Sequence, residues 1–261
     1  MTDIMLMAVD IGNTNITMGV FPDPSSDELL FTSRLASELH RTTDQYAADL
    51  GSICGFHGVT KDDVDCAIIS SVVPLLTGSV SNAIKLIFGI DAIIVGPGVK
   101  TGLNILIDDP AQTGADLVAV SVAAKELFPC PNVVCDLGTA STITVLDKNG
   151  NMIGGVIYPG VRTSLEALVS KTSLLQLVSL DAPKKVIGSN TIECMQSGVI
   201  FGAASLLDGM IDRIEAELGE PVTAIATGGL STSVTAHCKR SFESCENLIL
   251  IGLRLIYVKN R

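Results

Sequence analysis

Two short stretches carry the side chains best suited to phosphate chemistry. Residues 8–21 read AVDIGNTNITMGVF. Apolar residues lead up to Asp10. Gly12, the amides Asn13 and Asn15 and the hydroxyls Thr14 and Thr17 follow, and an apolar run resumes at Met18. A glycine followed by small polar side chains lets backbone N–H groups approach a phosphate, and a carboxylate at a strand end holds Mg²⁺ through water. No Gly-Lys-Ser/Thr follows, so this is not the Walker pattern. Residues 133–147, VVCDLGTASTITVLD, repeat the design: Asp136 aligns with Asp10, Gly138 with Gly12 and Thr139 with Asn13. Taken singly, each stretch also reads as an ordinary hairpin with a polar tip. As a pair, separated by close to half the chain, they imply two similar half-molecules with a cleft between them.

The elements that must position these turns follow from pattern. Each turn lies between an apolar strand and a second strand, and residues 29–35 add another beyond the loop tip PDPSSDE at 22–28. Thr42 and Gln45 fit a capping box, after which Tyr46, Ala47, Leu50, Ile53 and Cys54 recur at helical spacing. A buried strand at 66–70, a helix marked by Leu76, Val80, Ile84 and Ile87, and a strand at 92–95 complete an α/β half with a mixed sheet. Residues 96–110, rich in Gly and Pro, read as irregular. Thr113 is expected to cap a helix from Gly114 to about Phe128, with Asp116 in its first turn. There a carboxylate complements the helix dipole by a few tenths to ~1 kcal/mol, reason enough on composition alone for an acid.

The second half opens at Asn132 with a strand into Asp136. Strands at 141–146 and 152–157 flank the hairpin signal Asn149-Gly150, residues 161–169 are helical, and 171–189 are mostly loop. The spacing predicts a long helix over Thr191–Leu218, with Met195, Val199, Leu206, Met210 and Ile214 on one face. Its small residues Ser197, Gly198, Gly202, Ala203 and Ala204 would let another backbone pack closely. A strand at 222–227 runs into Gly228-Gly229. A closing helix over 248–258 is expected to turn Leu248, Gly252, Leu255 and Ile256 to one side.

Composition bounds the function. With 47% hydrophobic and 17% charged residues among 261, the chain has a well-buried core and is not a disordered protein. No apolar run reaches the roughly 18–20 residues that span a bilayer. The start, MTDIMLMAVD, carries Asp3 and Asp10 and no basic segment, so it does not read as a signal peptide. A net charge of −11 argues against nucleic-acid or anionic-membrane partners, and neither is expected. The seven cysteines form no CxxC, which predicts free thiols in a reducing cytoplasm and no zinc site. His40, His57 and His237 have no motif around them and read as surface or loop residues.

DIGNTN at 10–15 and DLGTAST at 136–142 resemble the two phosphate motifs of the acetate kinase–sugar kinase–Hsp70–actin superfamily. SSVVP at 70–74, VGPGVKTGLNI at 95–105, GAD at 114–116, GGVIYPG at 154–160, NT at 190–191, QSGVIFG at 196–202 and ATGGL at 226–230 follow in order. This series is similar to type III pantothenate kinase along essentially the whole chain. The resemblance implies an α/β fold of duplicated ribonuclease H-like halves, 1–115 and 116–261, with mixed sheets flanked by helices and the active-site cleft between them. It implies ATP-dependent phosphorylation of pantothenate to 4'-phosphopantothenate, the first step of coenzyme A biosynthesis, by a cytoplasmic homodimer. Alternatives are a kinase of the same fold on another small hydroxyl compound, or a nucleotide-binding homologue that regulates through a partner.

Residue by residue, the resemblance implies that Asp10, Ile11, Gly12, Asn13, Thr14, Asn15, Ile16, Thr17 and Thr139 bind ATP, with Asp10 holding Mg²⁺ through water. It places a monovalent cation, K⁺ or NH₄⁺, at Asp136. Asp116 is implied as the proton acceptor, with Ile107, Gly114, Ala115, Asp116, Leu117 and Thr191 at the pantothenate side. The nearby helix N-terminus is expected to favour its ionised form. The chain departs from the pattern at Leu117, where the GxDR motif has Arg, and at Ile107, where Tyr is common. Thr144 stands where Asp is often found. Leu117 offers no planar donor fork in place of arginine, so weak or absent turnover of pantothenate is expected.

Overall fold

The computed structural model describes residues 4–261; Asp3, used above to read the N-terminus, lies outside the described residues. The chain forms two compact units. The first takes the chain through Leu103, Asp108–Ala123 and Leu248–Arg261; the second takes Asn104–Ile107 and Ala124–Asn247. These units are discontinuous in sequence, whereas the halves 1–115 and 116–261 are continuous.

In the first unit, β1 (Met5–Ile11), β2 (Asn15–Phe21) and β3 (Phe31–Ala36) form an antiparallel meander. After α1 (Thr43–Phe56), β4 (Val64–Ser71) pairs parallel with β1, and after α2 (Pro74–Phe88), the two-residue β5 (Ile93–Ile94) pairs parallel with β4. The sheet order is β3-β2-β1-β4-β5. Leu6, Met7, Ala8 and Val9 are all fully buried, as a central strand covered on both faces requires. Met7, Val9, Ile16, Met18 and Ile69 share one core with Tyr46 and Leu50 of α1 and Leu76 and Val80 of α2. The capping box at Thr42 forms as expected: Gln45 N–H donates to Thr42 Oγ1 and Thr42 N–H to Gln45 Oε1. The helix α3 (Ala115–Leu127) begins in this unit and ends in the other.

The second unit repeats the scheme. β6 (Asn132–Leu137), β7 (Ala140–Leu146) and β8 (Met152–Pro159) form the meander. The helices α4 (Val161–Ser170) and α5 (Thr191–Leu218) follow, then β9 (Thr223–Thr227), parallel to β6. The five-residue α6 (Ser231–Thr235) and the two-residue β10 (Glu243–Ser244), parallel to β9, complete it. Its order, β10-β9-β6-β7-β8, is the first sheet's order read from the other edge. Two mixed sheets with one topology and helices packed on them are the duplicated ribonuclease H-like arrangement expected.

Three expectations about the helices are corrected, two of faces and one of a cap. The buried stripe of α5 is Met195, Ser197, Ile200, Ala204, Leu207 and Ile211; of the expected face only Met195 belongs to it, and Val199, Leu206, Met210 and Ile214 do not. The helix is apolar on more than one side, so periodicity alone could not choose. Val199, Met210 and Ile214 pack at the core's margin, and Leu206 is partly exposed. By length and composition α5 would also cross a bilayer, but its buried stripe lies in the core of the second unit. In the last helix, α7 (Leu248–Asn260), the expected face included Leu255; the fully buried neighbours are Leu250 and Leu253, and Arg254 is 5% exposed. Arg254 Nη1 donates to Pro24 O at 3.0 Å, its Nη2 to Asp27, and its guanidinium lies over the Phe21 ring. Thr113 does not cap α3: its buried hydroxyl has no hydrogen-bond partner among the described residues.

The helix α7 completes the first unit through glycines. A Cβ on Gly19 would lie 2.8 Å from Leu250 Cδ1, and one on Gly252 would run into the backbone carbonyl of Ala119 in α3. Alanine favours a helix over glycine by about 1 kcal/mol, but here two backbones would have to separate. Overpacking of this kind costs about 1–3 kcal/mol. Gly252→Ala is therefore expected to lower the denaturant midpoint; an equal or higher midpoint would show that α3 and α7 separate freely.

Candidate active site

Asp10 sits one residue before the end of β1, opposite Thr17 of β2 and Ser70 of β4. The fully buried Ser70 donates its hydroxyl to Asp10 Oδ1 at 2.5 Å. The turn that follows is Gly12-Asn13-Thr14. Gly12 N–H donates to Asn15 O at 3.0 Å. Ser37, just past β3, donates its hydroxyl to Gly12 O at 2.6 Å and its N–H to Thr14 O at 2.9 Å. Asn13, Thr14 and Asn15 are exposed, whereas the side chains of Ile11 and Ile16 are fully buried in the core. At those two positions only backbone is available to a ligand.

The first turn of α3 lies beside this strand end, within the same unit. Val72 N–H donates to Ile11 O at 3.0 Å, and Val72 Cγ1 is 3.7 Å from where a Cβ on Gly114 would be. That Cβ would also collide with Asp116 Oδ1, so glycine at 114 lets the carboxylate fold back over the helix start. Asp116 Oδ1 accepts Leu117 N–H at 2.8 Å, in the first turn of the helix that Thr113 does not cap. Burial pushes the Asp116 carboxyl above its ordinary value, and the Leu117 N–H only partly offsets this. The expectation that the helix start favours its ionised form is corrected on this point: desolvation outweighs it. Ala115 and Leu117 are half-buried.

In the second unit Asp136 stands opposite Thr142 of β7 and Thr227 of β9. Gly228, at φ +90°, lies against it: a Cβ there would be 2.5 Å from Asp136 Oδ1 and 2.7 Å from Leu137 N. The turn is Gly138-Thr139, one residue shorter than its counterpart. Thr139 O accepts Gly160 N–H at 3.0 Å and the Thr163 hydroxyl at 2.7 Å. By hydrogen bonding, then, Thr139 corresponds to Thr14, since each carbonyl is met by the residue just past the third strand. Thr191 opens α5, whose cap is Asn190 Oδ1 accepting Glu193 N–H at 3.0 Å. It lines a cavity of about 710 Å³ with Tyr158, Met195, Val199, Gly202 and Leu206. Burial pushes the Tyr158 hydroxyl up to about 12. Ile107 ends a short segment beside β8, where Leu106 N–H donates to Met152 O at 2.7 Å.

The described residues thus bring Asp10, its turn, Gly114 and Asp116 together in one unit. Asp136, Thr139, Ile107 and Thr191 belong to the other. Ser70 stood inside a quoted motif without a role; Ser37 and Thr163 carried no sequence signal, because their partners are set by strand pairing. Among the described residues no group of three or more His, Cys, Asp or Glu side chains could hold a metal, and all seven cysteines are free thiols.

Comparison with known proteins gives a consistent answer. Residues 6–213 match the family model of type III pantothenate kinase. The type III pantothenate kinase of Halalkalibacterium halodurans is 40% identical over 256 residues, covering 98% of this chain and 100% of that one. That of Syntrophobacter fumaroxidans is 39% identical, covering 98% and 99%. Among solved structures, a Baf family transcriptional activator from Campylobacter jejuni aligns with a TM-score of 0.59 at 20% identity, covering 97% of this chain and 98% of that one. The activator of 2-hydroxyisocaproyl-CoA dehydratase from Clostridium difficile aligns with a TM-score of 0.58 at 11% identity, covering 98% and 95%. At these identities the structures speak to fold alone.

The state of Asp116 has a measurable consequence. A carboxyl whose folded-state pKa is raised favours folding while protonated and costs stability as pH rises past its unfolded value. Asp116→Asn keeps the acceptor for Leu117 N–H and removes that cost. The variant is expected to be more stable than the native chain at pH 7, with the difference vanishing near pH 3. Equal midpoints at both pH values would contradict a desolvated carboxyl.

Proposed function

We infer the function from the family: the chain belongs to the type III pantothenate kinases, and it transfers the γ-phosphoryl group of ATP to the terminal hydroxyl of pantothenate in coenzyme A biosynthesis. The observation that carries this is identity near 40% over 98% of the chain, with nothing of the relative left uncovered. Our assignment of roles goes further. Phosphoryl transfer asks a protein mainly for positioning and charge neutralisation. Asp10, Ile11, Gly12, Asn13, Thr14, Asn15, Ile16, Thr17 and Thr139 are assigned to ATP, and Ile107, Gly114, Ala115, Leu117 and Thr191 to pantothenate. Asp116 takes the proton of the acceptor hydroxyl as its oxygen bonds to the γ-phosphorus and ADP departs with the bridging oxygen. A pKa raised by burial makes Asp116 a stronger proton acceptor once ionised.

Two cations fit the residues present. Mg²⁺ keeps several waters and is held by one or two carboxylates and the substrate's phosphates, not by an all-protein cage. Asp10, a carboxylate at a strand end that accepts the Ser70 hydroxyl, is assigned that mode. When bound, Mg²⁺ neutralises charge on the phosphate oxygens. Asp136, the carboxylate at the matching strand end of the second unit, is assigned a monovalent cation, K⁺ or NH₄⁺, on the family resemblance. We also propose a homodimer in the cytoplasm. The second apolar side of α5, at Val199, Gly202 and Leu206, supports a subunit contact. The halves 1–115 and 116–261 remain our reading of the duplication.

A coupled assay of ATP consumption with and without pantothenate tests the reading, in K⁺ buffer with Mg²⁺. Pantothenate-dependent turnover is expected, and its absence would move another acceptor or a regulatory role ahead. Asp116→Asn is expected to lower kcat by about 10²–10⁴-fold, the usual contribution of a positioned base. A loss under tenfold, with chemistry rate-limiting, would leave Asp116 a helix-end residue.

The acceptor side is proposed to be weakened by Leu117 and Ile107. Pantothenate carries a carboxylate and an amide, and one charge-assisted hydrogen bond is worth roughly 1.5–3 kcal/mol, about ten- to more than a hundredfold. Leu117→Arg with Ile107→Tyr is expected to raise kcat/KM for pantothenate at least tenfold. A native chain that already turns over pantothenate efficiently, with no gain in the double variant, would remove the idea.

A further inference from the structure

We propose that Ser37 and Thr163 are positioning residues for the nucleotide, acting by holding the carbonyls of the two phosphate turns away from it; this rests on the nucleotide-binding reading above. A turn that receives an anion must present N–H dipoles, and any carbonyl aimed the same way opposes binding. Both turns meet that requirement with the same device. In the first unit, Ser37 engages two carbonyls of the turn at once: its hydroxyl takes Gly12 O at 2.6 Å and its N–H takes Thr14 O at 2.9 Å. In the second unit, one carbonyl receives both donors: Thr139 O accepts Gly160 N–H at 3.0 Å and the Thr163 hydroxyl at 2.7 Å.

The strand pairing explains why the donor comes from that place. The last residue of β3, Ala36, pairs with Asn15 at the start of β2, and the last residue of β8, Pro159, pairs with Ala140 at the start of β7. The next residue, 37 or 160, is therefore the first that reaches back over the turn. Gly160 is held to glycine there, since a Cβ would collide with the carbonyls of Gly138 and Thr139. Without a side chain at 160, the hydroxyl is supplied three residues on, from the first turn of α4. At 37 the serine supplies both donors itself. Two turns of different length reach one outcome, in which turn carbonyls are tied to a backbone N–H and a hydroxyl.

The test is titration calorimetry of the full chain with Mg²⁺ and a non-hydrolysable ATP analogue. Ser37→Ala and Thr163→Val each remove a hydroxyl and leave the backbone donor in place. Each is expected to weaken binding about three- to tenfold, the range of one hydrogen bond, with KM for pantothenate unchanged. Ser37→Thr and Thr163→Ser keep the hydroxyl and should restore the affinity. Binding within twofold of the native chain in both alanine and valine variants would overturn the proposal. So would a loss accompanied by a lower midpoint and a raised pantothenate KM, which marks a merely structural role. A native chain that binds no nucleotide would defeat the functional reading and this inference together; native binding with unaffected variants defeats the inference alone.

Discussion

A carboxylate at the mouth of a buried strand is the constraint from which the first unit can be understood. Asp10 follows four residues that are fully buried, and a polar group placed there is costly without a partner. The partner is the hydroxyl of Ser70, itself fully buried and in need of an acceptor. Each group satisfies the other. The pair forms only when β1 and β4 are parallel and in the observed register, so the placement of Asp10 depends on a strand that arrives after α1. That register also delivers Val72 to Ile11 O and to the side of Gly114, bringing the start of α3 to the end of β1.

The second unit solves the same problem with different parts. Asp136 is again next to last in its strand, but its surroundings are threonines at 142 and 227 and the bare backbone of Gly228. A serine hydroxyl on one aspartate and the closely packed backbone of a glycine beside the other give the two carboxylates different surroundings. Shared topology with unequal side chains gives the two strand ends of a duplicated scaffold different environments.

Much of this was readable from the residues. The two hairpins stood out because an apolar run, Asp-aliphatic-Gly and a polar turn follow in fixed order, and strand alternation is a local property. The capping box at Thr42 and the helices α1 and α2 were equally local. What failed depended on tertiary context. The helix α5 has apolar residues around most of its circumference, so its buried stripe is chosen by what packs on it. Arg254 is buried because the loop at 22–28 folds back to receive its donors, a contact more than two hundred residues apart in the chain. Thr113 was a plausible cap by sequence, but its hydroxyl is left without a partner, and the helix start is met by Asp116 accepting Leu117 N–H. The Asp116 carboxyl illustrates the limit best: the helix start was visible in the sequence, but the burial that outweighs it was not.

The position of α7 bears on how the chain is made. Its Leu250 fills the space over Gly19 in β2, and its Gly252 backs onto Ala119, yet α7 lies beyond the whole of the second unit in chain order. During synthesis, which proceeds from the N-terminus, the β1–β4 sheet emerges with one face uncovered. It must wait for about two thirds of the chain to follow before its closing helix arrives. Domains usually complete themselves in order of synthesis. Here the later unit has all its elements first, and the earlier one is the last to close.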